Sequence, residues 1–384
     1  MYWIMSPKAW RFPLRGLSTL VLTLFILTQV QTVLAHGGET SGGGLSWWHG
    51  AAVSLLGVAV LTSAVLLKRR EVISPTYALY AVFVGILTAV VGIILFDGLS
   101  PEVTYTADSM PFPRSWYPFI GLSIGSLIAT ASFVIGWLRW PERPRYAFLG
   151  ILMGLWVAYP YLIPMGRGYS NPLGYAIVLG TPVLVGYILW KDAGFPIREL
   201  LKDSVARRFG IGVGLVVALF FASMTGYLTV FPEEEAPQEL TVAVLPAVYQ
   251  LVSWPTLEVF VPRIPFFFAA SPGQIVVIGT LGLLVGLNAG FIAYQWRIEE
   301  KTGLAEVTGG SASVVGSCTC GCCGPFVAKA AVLAAGPAVA APLYWLFVDS
   351  ASPLTSLFTA GAIVLFTGSL VYSVKRFPSS ASTS

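Results

Sequence analysis

Residues 77–96 read Tyr-Ala-Leu-Tyr-Ala-Val-Phe-Val-Gly-Ile-Leu-Thr-Ala-Val-Val-Gly-Ile-Ile-Leu-Phe. The run carries no charge, follows Lys68-Arg69-Arg70 and stops at Asp97. A helix rises about 1.5 Å per residue, so a run of this length matches a hydrocarbon core of about 30 Å. Water does not satisfy backbone groups there, and an uninterrupted apolar run therefore predicts a spanning helix.

The rest of the 384-residue chain repeats the pattern. Hydrophobic residues make up 56% and charged residues 10%, whereas a soluble domain carries about 25% charged residues. Apolar runs occur at about 17–35, 48–67, 77–96, 117–138, 146–163, 173–190, 211–231, 274–296, 325–348 and 354–374. The expected fold is an all-α, polytopic transmembrane helix bundle of about ten spans. The runs are too long, and too free of alternation, for barrel strands.

Charge placement gives the threading. With the N-terminus inside, the basic residues of the tail (Lys8, Arg11, Arg15) and those of alternate loops (Lys68–Arg70, Arg139–Arg145, Lys191–Arg208, Arg297 and Lys301) share the cytoplasmic side with Lys375 and Arg376. Arg114, Arg167 and Arg263 fall outside, and Lys329 falls near the inner end of the ninth run. This is the positive-inside pattern, and it puts both termini in the cytoplasm and the chain in the cell membrane. The first 35 residues also have a second reading. A basic head, an apolar stretch and Val33-Leu34-Ala35 form a signal-peptide pattern, and cleavage there leaves nine spans.

The expected organisation is a leader or first helix over 1–35, helices two to seven over 36–231, and helices eight to ten over 273–376, with a short polar tail over 377–384. Between them, residues 232–272 carry Leu245-Pro246, Trp254-Pro255, Val261-Pro262 and Ile264-Pro265. Proline at this density prevents a clean spanning helix. An extracellular, interfacial or re-entrant segment is expected, with Trp254 and Phe266–Phe268 at the headgroup level. Gly282, Gly286 and Gly290 have the spacing that lets helices approach closely, with packing inside the chain favoured over a dimer contact. Asn288 is expected to bond a neighbouring helix.

Chemistry concentrates in one place. All four cysteines, Cys318, Cys320, Cys322 and Cys323, fall in Ser-Cys-Thr-Cys-Gly-Cys-Cys-Gly-Pro, residues 317–325. Thiolates this dense select Cu(I), zinc or iron–sulfur clusters, and the charge map puts them at the cytoplasmic end of the ninth run. Pro325 suits a helix start; that N-terminus and Lys329 would both lower a nearby thiol pKa. Palmitoylated juxtamembrane thiols and plain packing are the other readings. The spacing is neither a zinc-knuckle nor a ferredoxin pattern. The two histidines, His36 and His49, flank the first outer segment. His36 would be the mature N-terminus after cleavage, and its amine and ring suit Cu(II). An interfacial or spacer role is the plainer reading of both.

Several resemblances rest on these residues. The cysteine run resembles the thiolate runs of metallothioneins, and its Cys-Cys-x-Pro part resembles the vicinal pair of mercury-transport membrane proteins. Ala35-His36-Gly37-Gly38-Glu39 is similar to the start of some secreted copper proteins and of the copper-binding subunit of membrane methane monooxygenases. With Gly286-Leu287-Asn288 and Ala341–Asp349, the whole resembles polytopic membrane proteins of archaea, particularly halophilic ones, which implies no activity.

Phosphate-cradling loops, zinc-protease helices and serine elbows are absent from the sequence, which argues against an ATP-driven pump or a protease. Three functions are open, and the two better supported are not enzymatic. One is handling of a soft metal, copper or a similar ion, captured at outer histidines and held at inner thiolates. The other is a non-catalytic accessory subunit of a larger respiratory or copper-enzyme membrane complex. A thiol–disulfide enzyme lacks the expected Cys-x-x-Cys pair. Beyond the lipid bilayer and such subunits no partner is expected, nucleic acid included.

Overall fold

The computed structural model describes residues 46–100, 111–162, 170–230, 239–250, 252–262, 266–302, 324–349 and 351–376. Ten α-helices, one short 3-10 helix (Arg114–Trp116) and four strands lie within them. The helices are α1 (Trp47–Arg69), α2 (Pro75–Leu99), α3 (Tyr117–Arg139), α4 (Pro144–Leu162), α5 (Pro172–Lys202), α6 (Ser204–Met224), α7 (Pro272–Thr302), α8 (Gly324–Ala335), α9 (Pro337–Phe347) and α10 (Pro353–Arg376). Pro75, Pro144, Pro172, Pro272, Pro337 and Pro353 are first residues of their helices. Proline fits there because its missing N–H has no partner in the first turn.

Seven helices are long and apolar enough to cross a membrane: α1, α2, α3, α5, α6, α7 and α10. The protein is therefore an integral, multi-pass helical membrane protein. Consecutive helices form antiparallel pairs that share small-residue seams. A Cβ on Gly286 would lie 2.7 Å from the Gly210 carbonyl oxygen, and one on Gly214 would lie 2.8 Å from that of Gly282. The α7 glycines thus pack within the chain against α6, as the spacing predicts. Asn288 donates to Phe366 O of α10 at 3.1 Å, and the expected interhelix bond is present. α4 runs through the middle, with Trp156 and Tyr159 each 1% exposed.

The two ends of the bundle differ. At one, Arg145 makes a two-pronged contact with Asp192, 2.7 Å from Nε to Oδ2 and 2.5 Å from Nη2 to Oδ1. Arg297 donates to Thr76 Oγ1 at 2.8 Å, Lys68 lies over the Trp296 ring, and Lys375 reaches the Tyr146 hydroxyl. This is the basic end.

At the opposite end the proline-rich segment forms a four-stranded antiparallel sheet, β1 (Leu228–Val230), β2 (Thr241–Tyr249), β3 (Val252–Val261) and β4 (Phe266–Ala270), in the order β1-β4-β3-β2. The expectation of no spanning helix holds, but the segment is regular strand. Pro246 and Pro255 face each other across β2 and β3. Neither can donate, so the pair must be one whose backbone groups point away from the shared ladder. For Pro246 that is the free edge of the sheet. β3 pairs with β4 only from Leu257 onward, so Pro255 has no ladder to interrupt. Tyr159 Oη donates to Gln250 O and Tyr175 Oη to Ser253 O at 2.5 Å, tying the sheet's tip to α4 and α5.

The ninth apolar run, expected to cross once, does something else. It breaks at Gly336, whose φ of 84° and ψ of 166° are open essentially to glycine alone. The 12 residues of α8 and 11 of α9 pack against each other as a hairpin. Each helix spans about 18 Å or less, too short to cross. Lys329 of α8 meets Asp97 at the last turn of α2. Asp349, just after α9, accepts from Tyr117 Oη at the first turn of α3 at 3.1 Å. Both contacts lie at the sheet end, so Lys329 is not at the basic end as the charge map placed it. The charge rule misplaced it because it counts cations alone, and the carboxylate of Asp97 holds this one at the sheet end.

Candidate functional site

The residues to place are His36, His49, Cys318, Cys320, Cys322 and Cys323. His36 and the four cysteines lie outside the described residues, as do the leader over 1–35 and the tail over 377–384. His49 is in the first turn of α1. Its side chain is half-buried, stacked on Trp48 with ring centroids 3.5 Å apart.

The His49 ring has three possible partners through one atom, all on Ser46: the backbone N–H, the carbonyl oxygen and, at 3.3 Å, the hydroxyl. Nδ1 lies 3.0 Å from the Ser46 N–H, from which it can accept, and 3.1 Å from the Ser46 carbonyl oxygen, to which it can donate. The first option closes a cap on α1 and leaves the proton on Nε2. The second puts the proton on Nδ1 and frees the Nε2 lone pair, the arrangement metal-ligating histidines use. The ring therefore fits either the structural reading or the ligand reading, according to its tautomer.

What surrounds His49 is set by the α1–α2 seam. Trp47 meets the Phe96 ring edge-on at a centroid distance of 6.0 Å. A Cβ on Gly50 would lie 2.3 Å from Phe96 N, so the two backbones touch. The next residue, Asp97, takes Lys329 at 2.9 Å through Oδ1, and its carbonyl oxygen accepts from the same ammonium at 2.7 Å. The start of α1, the end of α2 and the first half of α8 thus form one corner at the sheet end. In sequence, α8 starts immediately after Cys323.

This geometry changes two sequence expectations. The helix that follows the cysteines lies at the same end as His49, not across the bundle from it. The Lys329 charge is taken up by Asp97, so it is not a free cation available to lower a thiol pKa. Among the described residues, no group of three His, Cys, Asp or Glu side chains stands close enough to hold a metal.

A cavity of about 380 Å³ opens elsewhere at the sheet end, between α6, α7, α9, α10 and the β2–β3 turn. Phe221, Met224 and Leu281 form its apolar side; Tyr249, Thr355 and Thr359 form its polar side. No local pattern announces it, since its walls come from separate stretches of chain, around Phe221, Tyr249, Ile278 and Thr355. No family model matches the chain, and neither a curated protein nor a solved structure is significantly similar to it.

Proposed function

We propose that this integral membrane protein handles a soft metal ion, copper or one of similar chemistry, at its sheet end. Cys318, Cys320, Cys322 and Cys323 supply thiolates, His49 supplies Nε2, and His36 adds nitrogen ligands if it becomes the N-terminus. The observation that supports this reading is the Lys329–Asp97 pair. It holds the helix following the cysteines at the corner where α1 begins with His49. Soft thiolates with an imidazole suit Cu(I) or zinc. By the positive-inside rule the sheet end faces out of the cell membrane.

Bound metal in the purified full-length chain tests this. Wild type should retain Cu(I) through dialysis, the Cys318/Cys320/Cys322/Cys323→Ser variant should lose it, and His49→Ala should hold it more weakly. Equal, near-zero copper in all three removes the proposal. A membrane-impermeant maleimide applied to intact cells should react with the wild-type thiols; silence there removes the sidedness.

A second reading, a non-catalytic subunit of a larger membrane complex, is supported by how the bundle uses its polar groups. Asn288, Arg145–Asp192 and Tyr117–Asp349 each close a contact inside this chain. Gentle extraction from native membranes should then yield a heteromeric particle, and a monomer free of partners would count against it.

A further inference from the structure

In an antiparallel sheet with one face on a protein core, the other face is ordinarily polar, because it meets water. Here it is apolar. Trp254, Thr256 and Ala269 point into the bundle and are at most 4% exposed. The residues of opposite parity point away. Strand pairing puts Val242 beside Val259 and Phe268, and Val244 beside Leu257 and Ala270. Val244 is 67% exposed, Val242 60% and Leu257 41%. Across β2, β3 and β4 this outward set has a single polar side chain, Ser253, and no charge.

The sheet's attachment points indicate what covers this face. β1 follows α6 after only Thr225–Tyr227, and β4 runs into α7 through Ser271 alone. The strands therefore begin where two spanning helices end. The spanning helices carry exposed apolar side chains as well, among them Leu127 of α3 and Leu283 of α7. Pro246 interrupts the free edge of β2, which disfavours pairing with a strand from another chain. We infer that the outward face of the sheet lies against the bilayer surface, with Val242, Val244 and Leu257 inserted at the headgroup–acyl boundary. The sheet is then an interfacial anchor, a role usually met in amphipathic helices.

The inference rests on the chain spanning a bilayer, so its test carries a control for that. In a full-length background with the four cysteines replaced by serine, single cysteines at Val244, Ala243 and Leu127 are labelled with bimane. The protein is reconstituted in phosphatidylcholine vesicles, with and without a lipid spin-labelled high on its acyl chain. Leu127→Cys, mid-span, should be quenched in any correctly inserted protein. Val244→Cys should be quenched as strongly, and Ala243→Cys, on the opposite face, much less. Quenching at Leu127 without quenching at Val244 overturns the inference and leaves the membrane reading intact. Quenching at neither overturns both. A Val244→Cys protein that disulfide-links to a second copy and escapes the lipid quencher would assign the face to self-association, which also overturns it.

Discussion

The basic end and the sheet end of this bundle are held by different forces. At the basic end, long cationic side chains reach carboxylates, hydroxyls and rings on neighbouring helices, as in Arg145–Asp192 and Arg297–Thr76. At the sheet end, tyrosine hydroxyls donate to backbone carbonyls of a sheet and of the connection between α9 and α10, as Tyr159, Tyr161 and Tyr175 do. The first mode needs only charge near a helix terminus. The second needs a partner backbone already folded to the right place. The basic end should therefore respond to loss of single charges, and the sheet end to loss of backbone geometry.

The largest effect is expected at the basic end. Asp192 is 5% exposed and holds Arg145 in two-pronged geometry. Asp192→Ala strands a half-buried guanidinium, and breaking such a pair costs about 3 kcal/mol. Thermal unfolding in detergent should shift down globally. An unchanged midpoint would show that the basic end does not depend on this pair.

Next comes the turn of the hairpin. Gly336→Ala forces a Cβ into a backbone region open essentially to glycine, at a cost of about 2 kcal/mol. The damage should be local, read as faster hydrogen exchange in α8 and α9 with α5 and α7 unaffected. Global unfolding instead would mean that the hairpin is part of the core and that the two ends are not independent.

Tyr175→Phe removes one hydroxyl donor to the sheet, a loss of about 1 kcal/mol. Amide exchange should rise at the β2–β3 turn and stay level at the basic end.

One effect depends on pH and is silent at neutral pH. Burial pushes the Tyr227 phenol up to about 12, and the nearby Glu258 carboxylate adds to this. An acid whose folded-state pKa lies above its unfolded value near 10 stabilises the fold fully below pH 10. That contribution fades as pH climbs toward 12. The stability difference between wild type and Tyr227→Phe should be flat at neutral pH and shift against wild type between pH 10 and 12. A flat difference across that window would place the phenol in water.

The spanning helices and the basic end were legible from residues alone. A run such as 77–96 leaves the backbone no solvent but its own helix, and cations collect beyond such runs. The glycine spacing on α7 and the lone Asn288 also announced close packing and an interhelix bond. Proline was harder to read. The dense prolines of 232–272 correctly spoke against a helix, but opposite prolines are compatible with a sheet only in one register, which strand pairing sets. Pro337 looked like part of one crossing because hydropathy averages over it, while Gly336 supplies the turn.

The sequence by itself determined that this chain lives in lipid and which loops carry its cations, because solvation of apolar side chains and charges is a property of each segment alone. Only the tertiary structure decided where the ninth run goes, which end of the bundle Lys329 and the start of α8 share with His49, and which face of the sheet is left bare. Those depend on contacts such as Lys329–Asp97 and Val252–Gly174 between residues far apart in the chain, and no local pattern encodes the partner.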